Sequence, residues 1–461
     1  MNVIAAGKRY HFVGIGGAGM SGLASVMLAG GGSVSGSDLH ANDETDRLER
    51  AGASIHLGHD PQHVDGEVDE VIISSAIGAE NVEVREAHRR KVPVVRRLHA
   101  LASLLSGYTS IGVAGTHGKT TTTAMISTIL TRLGKDPSYL VGAHCPGLGG
   151  NARLGDGRFF VTEVDESDGL FLSLRPTIGV LNNISRDHLT TYKSLPAIVE
   201  SFAQYVRQSE RSVLAVDDPR VRRLARRVAN GFTVGIEPGA DLRATHIQHH
   251  HFHSSFDLVY RGTDLGSVFL PAPGAHNVRN ALCAIGSAHM AGIPLLEAAS
   301  ALSDFRLPHR RFELLEENGV TVVDDYAHLP EEIEVTLQAI RSGWEERRIV
   351  AVFQPHRYTR TQALGDDFGA AFGLADTVIV TPIYPANEPA IPGVSSQAIV
   401  RAIARSRGVE PYLIQEKEEA VSFLKGYIEP GDFIISFGAG DIWTVTEELS
   451  CFLKEGSFCA V

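Results

Sequence analysis

Cysteine is scarce in this chain and scattered: Cys145, Cys283, Cys451 and Cys459 are four in 461 residues. None stands at the short spacing of a zinc site or a disulfide framework, which excludes both as organisers of the fold. Long apolar runs are missing as well. No stretch approaches the ~18 residues of a membrane span, and the first eight residues lack a signal-peptide core. The expected compartment is the cytoplasm, where thiols stay reduced, with no membrane partner. Positive charge is in deficit, 42 Lys and Arg against 54 Asp and Glu, a formal net charge of −12. That speaks against nucleic acid as a partner, whose footprint would be basic. It leaves nucleotide binding open, since that needs only local positive charge. Repeats and low-complexity linkers are also absent. What remains is 43% hydrophobic and 21% charged, ordinary for a globular chain and long enough for about three domains of roughly 150 residues.

Three segments each begin afresh with an α/β pattern. In the first, strands are expected at 9–13, 33–36, 70–74 and 92–95, with a helix from Met20 to Leu28 and another ending near Gly107. The second starts at Tyr108, with strands at 110–114, 159–163, 178–181 and 212–215, hairpins over 244–270 and an apolar helix over 281–290. The third begins near Arg306, with strands at 320–324, 348–353, 377–381 and 432–437. Strands alternating with helices predict parallel sheets, hence an α/β fold. The expected domains are 1–107, 108–305 and 306–461.

The run Gly115-Thr116-His117-Gly118-Lys119-Thr120-Thr121-Thr122-Thr123 carries the most chemistry. It joins a buried strand to a helix. Glycines let backbone N–H groups approach phosphates, and the helix N-terminus adds the positive end of a dipole. The Lys supplies a point charge and the following hydroxyl reaches Mg²⁺. The usual pattern would place Gly five residues before Gly118; that residue is Val113, so this loop is shorter. A second glycine turn lies upstream. Gly14-Ile15-Gly16-Gly17-Ala18-Gly19 follows a strand, and Asp38 stands nineteen residues beyond Gly19. Alone, this turn fits a dinucleotide fingerprint, and a nicotinamide-dependent oxidoreductase is one function it allows.

Polar residues recur at the ends of other strands. Glu163, Asp165, Glu166 and Asp168 follow one, and carboxylates there suit a hard cation. Asp187-His188 follows another, and Asp324-Asp325-Tyr326-Ala327-His328 a third. Phe353-Gln354-Pro355-His356-Arg357-Tyr358-Thr359-Arg360 ends a fourth, where two Arg side chains are able to grip phosphate or carboxylate. Strand carboxyl ends line the ligand crevice of such sheets. The tract His249-His250-His251-Phe252-His253 has no acidic or Cys neighbour in sequence, and is read as exposed strand histidines with Phe252, Phe256 and Leu258 on one face.

These motifs, ordered over nearly the whole chain, resemble the Mur ligase family. The matching stretches are residues 11–20, 115–120 and 165–168, His276-Asn277 with Asn280, Arg310-Arg311-Phe312, 324–328 and 353–358. The resemblance implies a Rossmann-like domain for a UDP-sugar, a central ATPase of phosphate-loop type and a Rossmann-like closing domain. It implies ATP- and Mg²⁺-dependent amide formation, in which the lactyl carboxylate of UDP-N-acetylmuramate is phosphorylated and then attacked by the amine of L-alanine. A tripeptide-recycling activity within the family is the alternative, and a catalytically silent nucleotide binder a third reading. By resemblance, Lys119 holds the β/γ-phosphates and Thr120 ligates Mg²⁺, while Glu163 and His188 match metal-binding positions for a second Mg²⁺. Gly115, Thr116, His117, Gly118 and Thr121 complete the phosphate loop. Asn277 and Asn280 match the adenine stretch, and Arg311 and Asp325 reach the nucleotide from the closing domain. His328, Arg357 and Arg360 match positions facing the substrates, while Gly16, Ala18, Gly19 and Ser75 face the UDP group. The chain departs from the family at Leu329, where a second His is usual, and at Asn182-Asn183-Ile184, where Thr-Asn-Ile is common. It has no obvious lysine for the carbamylated position, where Glu200 and Ser201 lie. A monomer or homodimer is expected.

Overall fold

The computed structural model of the chain describes residues 7–167, 169–187, 189–317, 319–407 and 410–455. It contains three sheets. The first is five parallel strands in the order Ser54–Leu57, Ser33–Asp38, Arg9–Val13, Glu70–Ile73, Val94–Arg96. This order reverses direction between Arg9–Val13 and Glu70–Ile73, which opens a ligand crevice at their carboxyl ends. The apolar residues Tyr10, Phe12 and Val34 share a core with Met20, Leu23 and Met27 of helix Ala18–Ala29. On the other side, Val71 and Ile73 pack with Val84 and Ala87 of helix Val82–Arg90.

The second sheet has ten strands and contains the expected ones at Thr109–Ala114, Phe159–Glu163, Ile178–Leu181 and Arg211–Ala215. Thr109–Ala114 lies between Ile178–Leu181 and Phe159–Glu163, all parallel. Their ends therefore bring residue 115, residue 164 and residue 182 to one rim. At the far side, Leu242–His250, His253–Tyr260 and Thr263–Leu270 are neighbours joined by two-residue connections, as the hairpin reading anticipated. Phe256 and Leu258 are buried on one strand face, but Phe252 is not in register with them. It sits in the turn.

The third sheet runs Glu313–Glu317, Thr321–Asp325, Phe433–Phe437, Ile349–Phe353, Thr377–Val380, Tyr412–Leu413, antiparallel only at the first pair. Its central strands are buried on both faces, with Val323, Ala351, Phe353 and Ile435 in one core and Val322, Val350, Val352 and Ile434 in the other. That is why they read as continuous apolar runs.

The chain groups into two compact units. One takes the chain through His246 with Phe256–Leu270 and Asn277–Arg306, and so holds most of the first two sheets. The other takes Ile247–Ser255, Pro271–His276 and the chain from Leu307 onward. In this second unit the hairpin turn is part of the core: Phe252 meets Trp344 edge-on at 4.9 Å and Phe312 at 6.3 Å, and His251 stacks on Trp344 at 5.3 Å. The expected exposed tract is thus divided. His250 and His251 are exposed, His249 pairs with Ser254 Oγ at 3.0 Å, and Phe252 is an anchor. No helix among the described residues is long and apolar enough to cross a membrane.

Candidate active site

Strand Thr109–Ala114 ends in Gly115 at φ +129°, and helix Lys119–Arg132 is entered from Gly118 at φ +79°. Both angles favour glycine. Space requires it too: a Cβ at Gly118 would overlap Asn280 Oδ1, and one at Gly115 would lie 3.1 Å from the backbone of Asn183. The loop is held by the next strand end. Asn183 Oδ1 accepts the His117 N–H at 2.8 Å while its Nδ2 donates to His117 O at 3.1 Å. Asn182 Nδ2 donates to His117 O at 3.3 Å and to Thr122 Oγ1 at 3.0 Å. Thr116 N–H donates to Asn183 O at 3.2 Å, and Thr116 Oγ1 accepts from the Ser185 N–H at 2.8 Å. The Asn-Asn pair, whose first member departs from the family pattern, thus shapes the phosphate loop. Thr121 is buried in the helix behind it.

Lys119 Nζ donates to Gly115 O at 2.6 Å, to Thr116 O at 3.2 Å and to Glu166 Oε1 at 3.0 Å. Burial opposes its charge, but the carboxylates of Glu166, Asp165 and Glu163 outweigh this and raise its pKa above the ordinary value. It is an ammonium ion at working pH, as a phosphate partner must be. Thr120 Oγ1 lies 3.2 Å from Glu163 Oε2, and the other Glu163 oxygen accepts the Gly142 N–H. A hydroxyl and a carboxylate at one helix start are the hard oxygen donors Mg²⁺ prefers, so these residues fit the ion. Among the described residues, no group of three or more His, Cys, Asp and Glu side chains is arranged to hold a metal by itself. A Mg²⁺ ion bound with substrate phosphates does not require one. His188 and Asp168, both named from the sequence, lie outside the described residues.

Asn277 and Asn280 are buried in helix Ala275–Met290, with Asn280 Nδ2 3.3 Å from Asn277 Oδ1. Asn280 is the neighbour that fixes Gly118, so the proposed adenine stretch and the phosphate loop meet.

The first glycine turn is built differently. Gly14 and Ile15 N–H groups donate to Ser37 O at 2.9 and 3.1 Å. Asp38 Oδ2 accepts the Gly16 N–H at 2.8 Å, and its Oδ1 accepts the Leu39 N–H at 2.8 Å. The carboxylate that a dinucleotide reading assigns to a ribose is here used on the turn itself. Ser74 Oγ would be 3.1 Å from a Cβ at Gly14; Ser75 follows it in an exposed turn. Ala18 opens helix Ala18–Ala29. Gly19 faces Arg97, whose Nη1 would be 2.8 Å from a Cβ there. Arg97 Nη2 is also 3.7 Å from Asp165 Oδ2. Sequence reasoning missed Arg97, because one Arg of an Arg-Arg pair opening a helix carries no motif.

In the second unit the expected residues form a contiguous set. Asp325 is buried at a strand end, its two oxygens accepting the Phe312 N–H at 2.7 Å and the Ala327 N–H at 2.8 Å. Burial pushes its carboxyl up to about 6, against the pull of Arg311 and those two N–H groups. The Arg311 guanidinium lies over the Tyr326 ring at 4.7 Å, Tyr326 meets the His328 ring at 5.4 Å, and His328 meets His356 at 5.8 Å. His356 stacks on Tyr384 at 5.7 Å and has Arg360 Nη1 3.0 Å from its Nδ1. Burial first, then the cationic set of His328, Arg360, Arg357 and Arg310, holds His356 down at about 3, so it is neutral. Arg357 has φ +72° and ψ 141° and caps helix Tyr358–Leu364, its N–H bonded to Tyr384 O at 2.8 Å. Strained backbone of this kind concentrates at functional sites. Leu329, in place of the usual His, is buried, and Glu332 Oε2 accepts the His328 N–H at 3.0 Å and the Leu329 N–H at 3.2 Å.

The chain matches three family profiles in order: "Mur ligase family, catalytic domain" over residues 9–109, "Mur ligase middle domain" over 113–288 and "Mur ligase, glutamate ligase domain" over 310–440. It is 44% identical over 452 residues to a UDP-N-acetylmuramate–L-alanine ligase of Geobacter sp. (strain M21), covering 97% of this chain and 98% of that protein. The chain belongs to the Mur ligase family. A second relative of the same name, from Pelobacter propionicus, is also 44% identical and is matched over 99% of its length and 98% of this chain. Among solved structures, the UDP-N-acetylmuramate–alanine ligase of Thermotoga maritima superposes with a TM-score of 0.84 at 29% identity, covering 97% of this chain and all of that one. A murein peptide ligase from Psychrobacter arcticus shares the fold, with a TM-score of 0.71 at 24% identity over 99% of this chain and all of that one. The Mur ligase fold is three-domain α/β, as expected from the sequence, with a Rossmann-like start, a central nucleotide-binding part and a Rossmann-like end.

Proposed function

We propose that this chain joins L-alanine to the lactyl carboxylate of UDP-N-acetylmuramate at the expense of ATP, in the synthesis of peptidoglycan precursors. The observation that carries the reading is the corner where Lys119, Thr120 and Glu163 meet between three strand ends, in a chain whose relatives are named for that reaction. A carboxylate is a poor electrophile at neutral pH, and phosphorylation gives it a leaving group. What the protein must supply is positioning and charge neutralisation. Lys119 neutralises the β/γ-phosphates, and the N–H groups at the start of helix Lys119–Arg132 receive them. Mg²⁺, held by Thr120 and Glu163 with His188, would neutralise charge on the transferred phosphoryl group. Asn277 and Asn280 serve the adenine end. Gly16, Ala18, Gly19 and Ser75 face the UDP group, and Arg97 stands beside them. Arg311 and Asp325 contact the nucleotide from the third domain, where His328, Arg357 and Arg360 face the muramyl and amino-acid substrates. The domains divide at 1–107, 108–305 and 306–461, and the working compartment is the cytoplasm.

ADP release tests this reading. It is expected only with Mg²⁺, UDP-N-acetylmuramate and an amino acid together, with L-alanine preferred over glycine, L-serine and a tripeptide. Preference for the tripeptide would move the chain to the recycling branch, and ADP release without the UDP-sugar would refute the reading.

A further inference from the structure

The first sheet carries a charge that neither glycine loop uses. Strands Arg9–Val13 and Ser33–Asp38 are apolar on one face, but the other presents His11, Ser35 and Ser37, of which His11 and Ser37 are fully buried. Covered parallel strands ordinarily carry Val, Ile and Leu on both faces. Glu83, in the first turn of helix Val82–Arg90, is itself fully buried against this polar face. Ser37 Oγ donates to its Oε2 at 2.6 Å, and His59 Nδ1 is 3.1 Å from the same oxygen. His63 Nδ1 is 2.6 Å from Oε1, His11 Nε2 is 3.6 Å away, and the Asp60 N–H reaches Oε1 at 3.4 Å. Behind these, His56 stacks on His63 at 4.1 Å and His11 Nδ1 pairs with Ser35 Oγ at 2.9 Å.

Burial alone would push the Glu83 carboxyl up. The nearby His11 and the bonds from Ser37 and His63 outweigh it and hold the group at about 2, so it is an anion at any physiological pH. A buried anion needs polar partners beside it. The side chains that face Glu83 from the two strands, the following loop and the short helix Pro61–His63 are Ser37, His11, His59 and His63, so one hydroxyl and three imidazole rings close around the carboxylate.

The same corner holds the first glycine turn. The Ser37 carbonyl carries the Gly14 and Ile15 N–H groups, and the next residue, Asp38, carries the Gly16 N–H. Gly58 N–H donates to Asp38 O at 2.7 Å, which places His59 one residue on. Glu83 therefore fixes Ser37 through its hydroxyl while the glycine turn hangs from its carbonyl.

We propose that Glu83 is a positioning residue for the UDP-sugar: with His11, His59 and His63 it forms a charged knot that sets the Ser37–Asp38 corner and, through it, the backbone N–H groups of the first glycine turn. The inference rests on the reading that this turn receives the UDP group. Glu83→Gln keeps the shape and removes the charge. The expected result is a KM for UDP-N-acetylmuramate raised at least tenfold, with kcat and the KM for ATP within twofold of the parent. Glu83→Asp is expected to recover part of the KM. Glu86→Gln, on the same helix but paired with Arg89 and Arg90 and not with the histidines, should change none of these readouts. An unchanged KM, or an equal loss in kcat and both KM values, overturns the proposal. If Glu83→Gln does not fold, Ser37→Ala is expected to raise the same KM about threefold, and no rise overturns the proposal equally. If the parent protein shows no turnover of UDP-N-acetylmuramate, the functional reading has failed and not the knot, and weaker calorimetric binding of UDP-N-acetylmuramate by Glu83→Gln than by the parent then decides alone.

Discussion

The two glycine turns share a plan of strand, turn and helix, yet they are stiffened by different means. At Gly14–Gly19 the turn is anchored on the backbone of Ser37 and the carboxylate of Asp38, and the nearest cation, Arg97, comes from a distant helix. At Gly115–Lys119 the turn is gripped by two side-chain amides, and its cation is the next residue in the chain. The first turn can hold an anion that arrives and leaves unchanged. On the proposed function, the second places charge where a phosphoryl group is transferred. Substrate binding and group transfer thus draw on one local geometry with different electrostatics.

The comparison breaks most visibly at Lys119. Lys119→Ala is expected to leave less than a tenth of the turnover, at least ~1.4 kcal/mol in the barrier, with UDP-N-acetylmuramate binding by calorimetry unaffected. Retention of more than that would deny the second turn its role in transfer. A smaller and reciprocal pair separates the turns. Asn183→Ala takes its side-chain acceptor from the His117 N–H and one of two side-chain donors from the His117 carbonyl, about 1–3 kcal/mol, and should raise the KM for ATP alone. Asp38→Ala should raise the KM for the UDP-sugar alone, and a rise in both from either variant would mean that the turns are not independent. The smallest effect concerns Asp325. Its folded-state pKa of about 6 lies above the ordinary 3.8, so the folded protein holds this proton more tightly than the unfolded chain. The contribution to stability is then full below pH 3.8 and falls as pH rises to 6. Melting temperature against pH should lose that component in Asp325→Asn, and an unaltered profile would refute the assignment.

Much of this was legible in the sequence because the signals are local. Glycines before a helix, apolar strands and Lys-Thr identify both turns and the parallel sheets to within a few residues. The family pattern located the third-domain residues, and Arg311, Tyr326, His328 and His356 do form one chain of contacts. What sequence reasoning missed depends on distant partners. Asn182 was noticed only as a departure from a pattern and Asn183 only as its match, since nothing nearby reveals that their amides close on His117. Glu83 lies in a charged helix, and its burial is set by strands more than forty residues away. Phe252 was placed on a strand face because a turn at His251-Phe252 carries no Gly or Pro to announce it.

That aromatic turn residue has a practical consequence for anyone dividing the molecule. The third sheet starts after Leu307, and a fragment cut there would look complete by sequence. It would nonetheless lack Phe252 and the segment Pro271–His276 that group with it, and Trp344 would lose the ring that meets it at 4.9 Å. Excised in that way, the third domain would present an aromatic surface to water that the intact chain covers, and its solubility would report on the cut and not on the fold.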